Sequence, residues 1–269
     1  MKKYEFTGET KNIDGHILHR IRALRDIYCG GWRIRAGDLG GWIESEKNLS
    51  QEGNAWVGGS ATVCENVQVY DSAWVYGNAQ VCDSAQIYGD AEVYGNAQVG
   101  GDARVSGDAR VCGNVWVYDS ARVYGNAQVY DSARVCGDAR VCGNAQVYDS
   151  AQICGDAEVY GNAWVYGNAQ VCDSAWVGGN AEVDGNAWVG ENAQVYRISD
   201  IFEIRHIGSR NDTTTFFRTQ SKQIHVKCGC FSGTIDEFET KVKATHKDNV
   251  HAKTYTLAIQ MAKLKLGGD

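Results

Sequence analysis

Between Asn54 and Tyr196 the chain repeats one short pattern of apolar and polar positions. A valine or isoleucine recurs every six residues from Val57 to Val195, which makes 24 consecutive hexapeptides. An alanine precedes nearly every one of these positions by two residues. In an extended strand, residues two apart point to the same side and the residue between them points to the other. The pattern therefore predicts short strands that bury alanine and valine and turn the intervening residue outward.

A second period of 18 residues lies within the first. Read every 18 residues, the position after each valine is mostly cysteine in one series and mostly tyrosine in the two others. The cysteine series is Cys64, Cys82, Gly100, Tyr118, Cys136, Cys154, Cys172 and Gly190. Three hexapeptides therefore form one coil, and like residues stack along each corner. At about 4.8 Å per coil, eight coils predict a rod of roughly 38 Å.

The corners between the strands have turn-forming residues. Aspartate at the second position after valine is followed by serine, as in Asp71-Ser72, whereas glycine there is followed by asparagine or aspartate. These residues favour special turn conformations. One coil buries too little apolar surface to offset the ordering of its residues, so the coils must stabilise one another and the ends need caps.

We predict three parts: a capping segment over residues 1–51, the rod over 52–197, and a small α+β domain over 198–269. In the first part, the alternation that begins at Ile17 and ends at Ala23 predicts a strand. Gly40–Ile43 is interpreted as a turn into the first coil.

The C-terminal part predicts three strands and two helices. The strands lie near Ile201–Ile207, Thr214–Arg218 and Gln223–Lys227. Thr234 and Glu237 form a capping box at the start of the first helix. The second helix runs from about Val250 to Leu266 and stops at Gly267.

Composition bears on location and on partners. The start, MKKYEFTGET, has no apolar stretch typical of a signal peptide, so we expect a cytoplasmic protein whose ten cysteines are free. No run approaches the roughly 18 apolar residues that span a membrane. From Asn54 to Tyr196 there are 17 acidic residues, five arginines and no lysine. This acidity argues against direct binding of nucleic acid by the rod.

The repeat, V-[YCG]-[GD]-[NDS]-A-x, resembles the hexapeptide-repeat family. The resemblance implies a mainly β fold: a three-sided left-handed parallel β-helix of about eight coils, with a short N-terminal β cap and a small C-terminal α+β domain. The left-handed coiling rests on the resemblance alone. The layout, with LHRIRALRD…AGDLGGWIE before the rod and GSRNDTTTF…CGCFSGTIDEF after it, is also similar to uncharacterised repeat proteins of gut bacteria and their phages.

Many members of the hexapeptide family are acyltransferases with a histidine base and an extruded loop, and others are carbonic anhydrases with three histidines on zinc. Here no histidine lies between His19 and His206, and no loop interrupts the repeat. We therefore expect no enzymatic activity and no cofactor. An acyltransferase with an unfamiliar base is the remaining enzymatic alternative.

One candidate binding surface is a column of arginines, Arg104, Arg122 and Arg140, on one face of adjacent coils. Guanidinium groups suit phosphates, so the column could hold a nucleotide. In the competing interpretation, which we favour, nearby aspartates neutralise the arginines: Asp102 precedes Arg104 by two residues, and Asp138 precedes Arg140 by two.

A second candidate is the polar loop formed by Ser209, Arg210, Asn211, Asp212 and Thr213. With Arg218 and Lys227 nearby, it could hold an anion. As a polar hairpin turn, the same loop is ordinary.

Two groups of soft side chains suggest metal or redox chemistry. A weak zinc candidate consists of His225, Cys228, Cys230, His246 and His251, but its Cys-x-Cys spacing departs from the usual Cys-x-x-Cys, and we predict no metal. The cysteines at the rod corner could be redox-active or bind metal. We favour a packing role for them.

The outward tryptophans are too many for a solitary solvated rod and suggest protein contact. They are Trp56, Trp74, Trp116, Trp164, Trp176 and Trp188. The family resemblance adds that hexapeptide β-helices usually pack as trimers, so we expect a homotrimer.

The leading hypothesis is a non-enzymatic scaffold that oligomerises through its rod and presents the C-terminal domain for binding. The non-enzymatic alternatives are a sponge for a phosphorylated small molecule or nucleotide and an acidic nucleic-acid mimic that occupies a host protein.

Overall fold

A computed structural model describes residues 2–267 of the chain, and a rod of two-residue strands forms most of it. In chain order the rod strands are β6 Trp56–Val57, β7 Thr62–Val63, β8 Gln68–Val69, β9 Trp74–Val75, β10 Gln80–Val81, β11 Gln86–Ile87, β12 Glu92–Val93, β13 Gln98–Val99, β14 Arg104–Val105, β15 Arg110–Val111, β16 Trp116–Val117, β17 Arg122–Val123, β18 Gln128–Val129, β19 Arg134–Val135, β20 Arg140–Val141, β21 Gln146–Val147, β22 Gln152–Ile153, β23 Glu158–Val159, β24 Trp164–Val165, β25 Gln170–Val171, β26 Trp176–Val177, β27 Glu182–Val183, β28 Trp188–Val189 and β29 Gln194–Val195. Five strands of an N-terminal cap precede them.

The rod strands form three parallel sheets, and every strand pairs with the strand three places further along the chain. We call the sheet of β7, β10 and so on to β28 face 1, the sheet from β8 to β29 face 2, and the sheet from β6 to β27 face 3. The pairing is in register, as between Val81 and Val99. This confirms three hexapeptides per coil. A strand of the N-terminal cap joins face 1, so the solenoid has about nine turns rather than the eight of the repeat alone.

Alanine and valine of the repeat fill the interior, with almost every one fully buried. The coils are joined by backbone hydrogen bonds. The amide of most outward residues donates to the alanine carbonyl of the next coil, as from Trp74 N to Ala91 O at 2.8 Å. The predicted division into inward and outward positions is confirmed. Side chains alternate between the two sides of a strand, so only one arrangement buries both the alanine and the valine. The direction of coiling stays a prediction.

The N-terminal cap continues face 1 with antiparallel strands. Its strands are β1 Tyr4–Ile13, β2 His16–Ala23, β3 Ile27–Cys29, β4 Trp32–Ile34 and β5 Leu39–Ile43. β1 and β2 pair, β2 pairs with β5, and β5 pairs in parallel with β7. The strand predicted to begin at Ile17 is present as part of β2. At its start, the side chain of Leu18 rather than that of Ile17 is buried. The pairing of β2 with β5 is irregular after Arg20.

The interpretation of Gly40–Ile43 as a turn is wrong, because these residues belong to β5. Glycine is needed there for close packing. A Cβ on Gly41 would lie 2.7 Å from the carbonyl oxygen of Ala61, and one on Gly40 would lie 2.5 Å from Ile21. The missing side chains allow β5 to lie against the first coil.

The C-terminal part is a four-stranded antiparallel sheet with two helices. Its elements are a 3-10 turn at Ile198–Asp200, β30 Ile201–Ile207, β31 Asp212–Arg218, β32 Ile224–Cys228, β33 Phe231–Thr234, α1 Ile235–His246 and α2 Val250–Leu266. Three strands and both helices agree with the prediction, and the side chain of Thr234 caps α1 with Glu237 as predicted. The short strand β33 was missed, because a four-residue segment with a central glycine carries little strand signal.

This C-terminal domain also closes the second end of the rod. Phe217 on β31 is fully buried and lies 6.1 Å from the ring of Trp188 on the last coil. The amide of Trp188 donates to the hydroxyl of Thr215, and Ala193 forms a bridge to Thr219. The strand edges left by the last coil are therefore covered, which limits pairing with other chains.

Candidate functional site

Face 2 places the three predicted arginines in neighbouring strands. Arg104 pairs with Arg122, and Arg122 pairs with Arg140, so the column is continuous over three coils. All three side chains are exposed. The 18-residue period was sufficient to predict this arrangement.

Within residues 2–267 the column is neutralised only at Arg140, by a residue of the next coil rather than by a preceding aspartate. Arg140 Nη1 lies 2.8 Å from Glu158 Oε1, while Arg104 and Arg122 take part in no ion pair within residues 2–267. A shallow groove at the end of the column is lined by Ser120, Arg122, Asp138, Arg140, Asp156 and Glu158. Its three carboxylates outnumber its two guanidinium groups, which disfavours a phosphate there.

The outward tryptophans divide into two groups. Trp56 is buried under the N-terminal cap, Trp74 is half-buried, and Trp188 is covered by Phe217. The expectation that every outward tryptophan contributes to an intermolecular surface is wrong for Trp56 and Trp188, because the chain's own caps fold over both ends of the rod.

Three tryptophans remain open to solvent, one on each face. Trp116 on face 1, Trp164 on face 3 and Trp176 on face 2 are 43%, 44% and 41% exposed. Trp116 has a partner within the chain, because the guanidinium of Arg134 lies 5.0 Å from its ring. Trp164 and Trp176 lie in adjacent coils on neighbouring faces.

A cleft that the sequence did not predict lies where the β3–β4 hairpin meets the first coils. We call it the aromatic cleft, and it is lined mainly by Trp32, Leu39, Trp56, Trp74 and Tyr76. The rings of Trp74 and Tyr76 stack at 3.9 Å, and Trp32 lies 6.4 Å from Trp74. The only signal in the sequence was Gly58-Gly59, a break in the tyrosine series that leaves the floor of the cleft without side chains.

The corners confirm the turn role of aspartate and glycine. Asp119 has a φ of 60° and Gly137, one coil later, has a φ of 72°. The Asp119 carboxylate accepts a hydrogen bond from the amide of Gly137 at 3.0 Å. Corner aspartates therefore hold successive coils together.

The structure does not assemble the predicted anion site around the loop at 209–213. Ser209 and Asn211 are exposed, Thr213 is half-buried in β31, and Arg210 lies 3.9 Å from Asp212. The expected neighbours lie elsewhere. Arg218 is at the opposite end of β31, and the ammonium of Lys227 lies 4.6 Å from the ring of Trp188.

The weak zinc candidates are also dispersed. His225 contacts Glu191, Cys228 lies 3.4 Å from the Tyr255 hydroxyl, and Cys230 is exposed. His246 and His251 contact each other, with ring centroids 5.7 Å apart. In the part of the chain that the structure describes, no group of three or more histidine, cysteine or acidic side chains is arranged to hold a metal ion.

The fold defines this chain as a β-solenoid repeat protein. The profile of the YdcK beta solenoid repeat matches six stretches, at residues 85–101, 97–119, 109–125, 121–137, 133–149 and 151–167. All lie in the rod and together cover less than half of the chain, so the similarity is one of the repeat. A search of curated proteins found no match. Within residues 2–267, neither helix has the length and apolar character needed to cross a membrane.

Proposed function

We propose that the protein is a non-enzymatic β-solenoid scaffold that assembles into a cytoplasmic homotrimer through its rod and presents its C-terminal domain to a protein partner. The observation that carries the proposal is the pair of exposed tryptophans, Trp164 and Trp176, on neighbouring faces of adjacent coils. The location is supported by the ten cysteines, all unpaired in the structure.

Threefold symmetry suits this placement of the tryptophans. In a ring of three, each interface joins two different patches, so every subunit needs two adhesive faces side by side. Faces 2 and 3 share a corner, and each has one open tryptophan. Tryptophan is enriched among the residues that dominate binding energy at protein interfaces.

The outer side of α2 supports the role of the C-terminal domain in binding. Leu257, Met261 and Leu264 follow one another at spacings of four and three residues and are 61%, 53% and 83% exposed. Residues at this spacing form one stripe along a helix. An apolar stripe of this kind is suited to a groove or helix of a protein partner.

The assembly is tested by native mass spectrometry and sedimentation velocity at micromolar concentration. We expect a trimer for the unaltered chain and dissociation to monomers when Trp164→Ala and Trp176→Ala are combined. Trp116→Ala is the matched control, because this side chain is equally exposed but lies on face 1. A monomeric unaltered chain, or dissociation by the control alone, would contradict the proposal.

The alternatives have less support. The groove beside the arginine column is rich in carboxylates, which disfavours a sponge for phosphorylated molecules. A nucleic-acid mimic is supported by the acidic composition of the rod alone. An acyltransferase would need a base other than histidine in the rod.

A further inference from the structure

The corner between faces 1 and 2 has a cysteine column, which we define as Cys136, Cys154 and Cys172 in three successive coils. The backbones are tightly stacked there. The amide of Cys154 donates to Val171 O, and that of Cys172 donates to Val189 O, both at 2.9 Å. Neighbouring strands at about 4.8 Å fall within the Cα separations of about 4.4–6.8 Å at which two cysteines can form a disulfide.

Within this column, the Cys154 and Cys172 sulfurs meet directly. Their Sγ atoms are 2.7 Å apart, and both side chains are half-buried rather than sealed from solvent. Hydrogen bonding from Cys172 lowers the pKa of Cys154 to about 7. The same hydrogen bond, together with burial, raises the pKa of Cys172. Near neutral pH, Cys154 is therefore the nucleophile and Cys172 is a protonated thiol in contact with it.

A second cysteine pair on the same corner provides an internal comparison. Cys64 and Cys82 have the same spacing of 18 residues, but their thiols are directed elsewhere. Cys64 Sγ lies 3.7 Å from Val81 O, and Cys82 Sγ lies 3.6 Å from Asp83 Oδ2. Burial raises the pKa of Cys64 to about 12 and that of Cys82 to about 11. Stacking of cysteines alone thus does not produce the Cys154–Cys172 contact.

We propose that Cys154 and Cys172 form a thiol–disulfide exchange site that takes a low-molecular-weight disulfide, such as oxidised glutathione, as its substrate. The Cys154 thiolate attacks one sulfur of this disulfide, which gives a mixed disulfide and releases one thiolate. Cys172 then loses its proton and attacks Cys154 Sγ, which releases the second thiolate. The two cysteines lose two electrons and form one disulfide, and the small disulfide gains them and becomes two thiols.

This reaction is compatible with the scaffold role. The cysteine column lies at the corner between faces 1 and 2, whereas the proposed trimer contact surrounds the corner between faces 2 and 3. Oxidation also joins coils that are already hydrogen-bonded, so it requires no rearrangement of the strands. Exchange and assembly can therefore be tested independently.

The test uses the folded full-length chain, treated with oxidised glutathione at neutral pH, alkylated and cleaved without reduction on the N-terminal side of aspartates. Cleavage at Asp149, Asp156 and Asp173 separates the two cysteines into peptides 149–155 and 156–172. We expect these peptides to be recovered joined by a disulfide. In Cys172→Ser, we expect Cys154 to retain one bound glutathione.

The rate of alkylation provides a second readout. At neutral pH, a thiol of pKa about 7 should react on the order of 50-fold faster than one of pKa about 11, because its larger thiolate fraction outweighs its lower nucleophilicity. We expect this advantage for Cys154 over Cys82, and its loss in Cys172→Ala, which removes the hydrogen-bond donor. Formation of a Cys64–Cys82 disulfide at the same rate, or fully reduced Cys154 and Cys172 in a folded chain, would overturn the proposal.

Discussion

At the scale of single residues, the corners show how glycine and aspartate can occupy the same position. Both adopt a left-handed backbone, as at Gly125 with a φ of 71° and Asp131 with a φ of 61°. Aspartate also accepts an amide hydrogen from the next coil, as Asp149 does from Gly167 at 3.0 Å. Glycine tolerates the conformation without making this bond.

This difference predicts losses of stability of different size for two substitutions at Gly125. Gly125→Ala should lower the free energy of unfolding by about 1–2 kcal/mol, because alanine makes no hydrogen bond that offsets the strain of a positive φ. A Cβ there also lies 3.0 Å from the Gly143 amide nitrogen. Gly125→Asp should be milder by about 1 kcal/mol, because its carboxylate can accept the Gly143 amide hydrogen. Urea denaturation of both variants measures the difference, and equal losses would contradict this account.

At the scale of elements, stacked side chains along a corner act as a unit that depends on the spacing of the strands. Tyr130, Tyr148 and Tyr166 stack with centroids 4.9 Å apart and rings within 4° of parallel. The spacing of the rings follows the spacing of parallel strands, about 4.8 Å. Burial raises the pKa of Tyr148, and the neighbouring Asp149 adds to this effect.

The raised pKa predicts a loss of stability in alkali. A tyrosine whose pKa is higher in the folded chain stabilises the fold below its unfolded pKa of about 10, and this contribution is lost as the pH rises through the folded value. Tyr148→Phe should therefore reduce the dependence of the melting temperature on pH above about 10. Tyr28→Phe, which alters an exposed tyrosine outside the column, is the control. Identical pH profiles for Tyr148→Phe and the unaltered chain would rule out this role.

At the scale of the whole molecule, the rod is a one-dimensional stack closed at both ends by parts of the same chain. Each coil contacts mainly its neighbours, so the stability of the rod should be roughly a sum of contributions from single coils and their interfaces. The caps supply what the repeat lacks. Tyr4 Oη donates to Leu49 O at 2.8 Å at one end, and Phe217 packs on Trp188 at the other.

This arrangement predicts that one whole coil can be removed. Deletion of residues 121–138, which are three hexapeptides, should preserve the circular dichroism spectrum and cooperative unfolding, with a modest decrease in the denaturant m-value because less surface is buried. Deletion of residues 122–138, which are 17 in number, should unfold the rod. The odd number inserts a one-residue slip that turns the inward residues outward. Similar behaviour of the two deletions would exclude a strict 18-residue coil.

The sequence by itself determined the features that depend on local periodicity. The buried alanine and valine, the three faces, the arginine column and the two C-terminal helices follow from periods of 6, 18 and about 3.6 residues. Tertiary structure decided how separate segments meet. The β5 strand, the cover over Trp56, the aromatic cleft, the Arg140–Glu158 pair and the contact between Cys154 and Cys172 all depend on how the caps fold back or which rotamers stacked coils adopt. A repeat specifies which side chains are neighbours, but the direction of each side chain and the path of the caps depend on packing between segments distant in the chain.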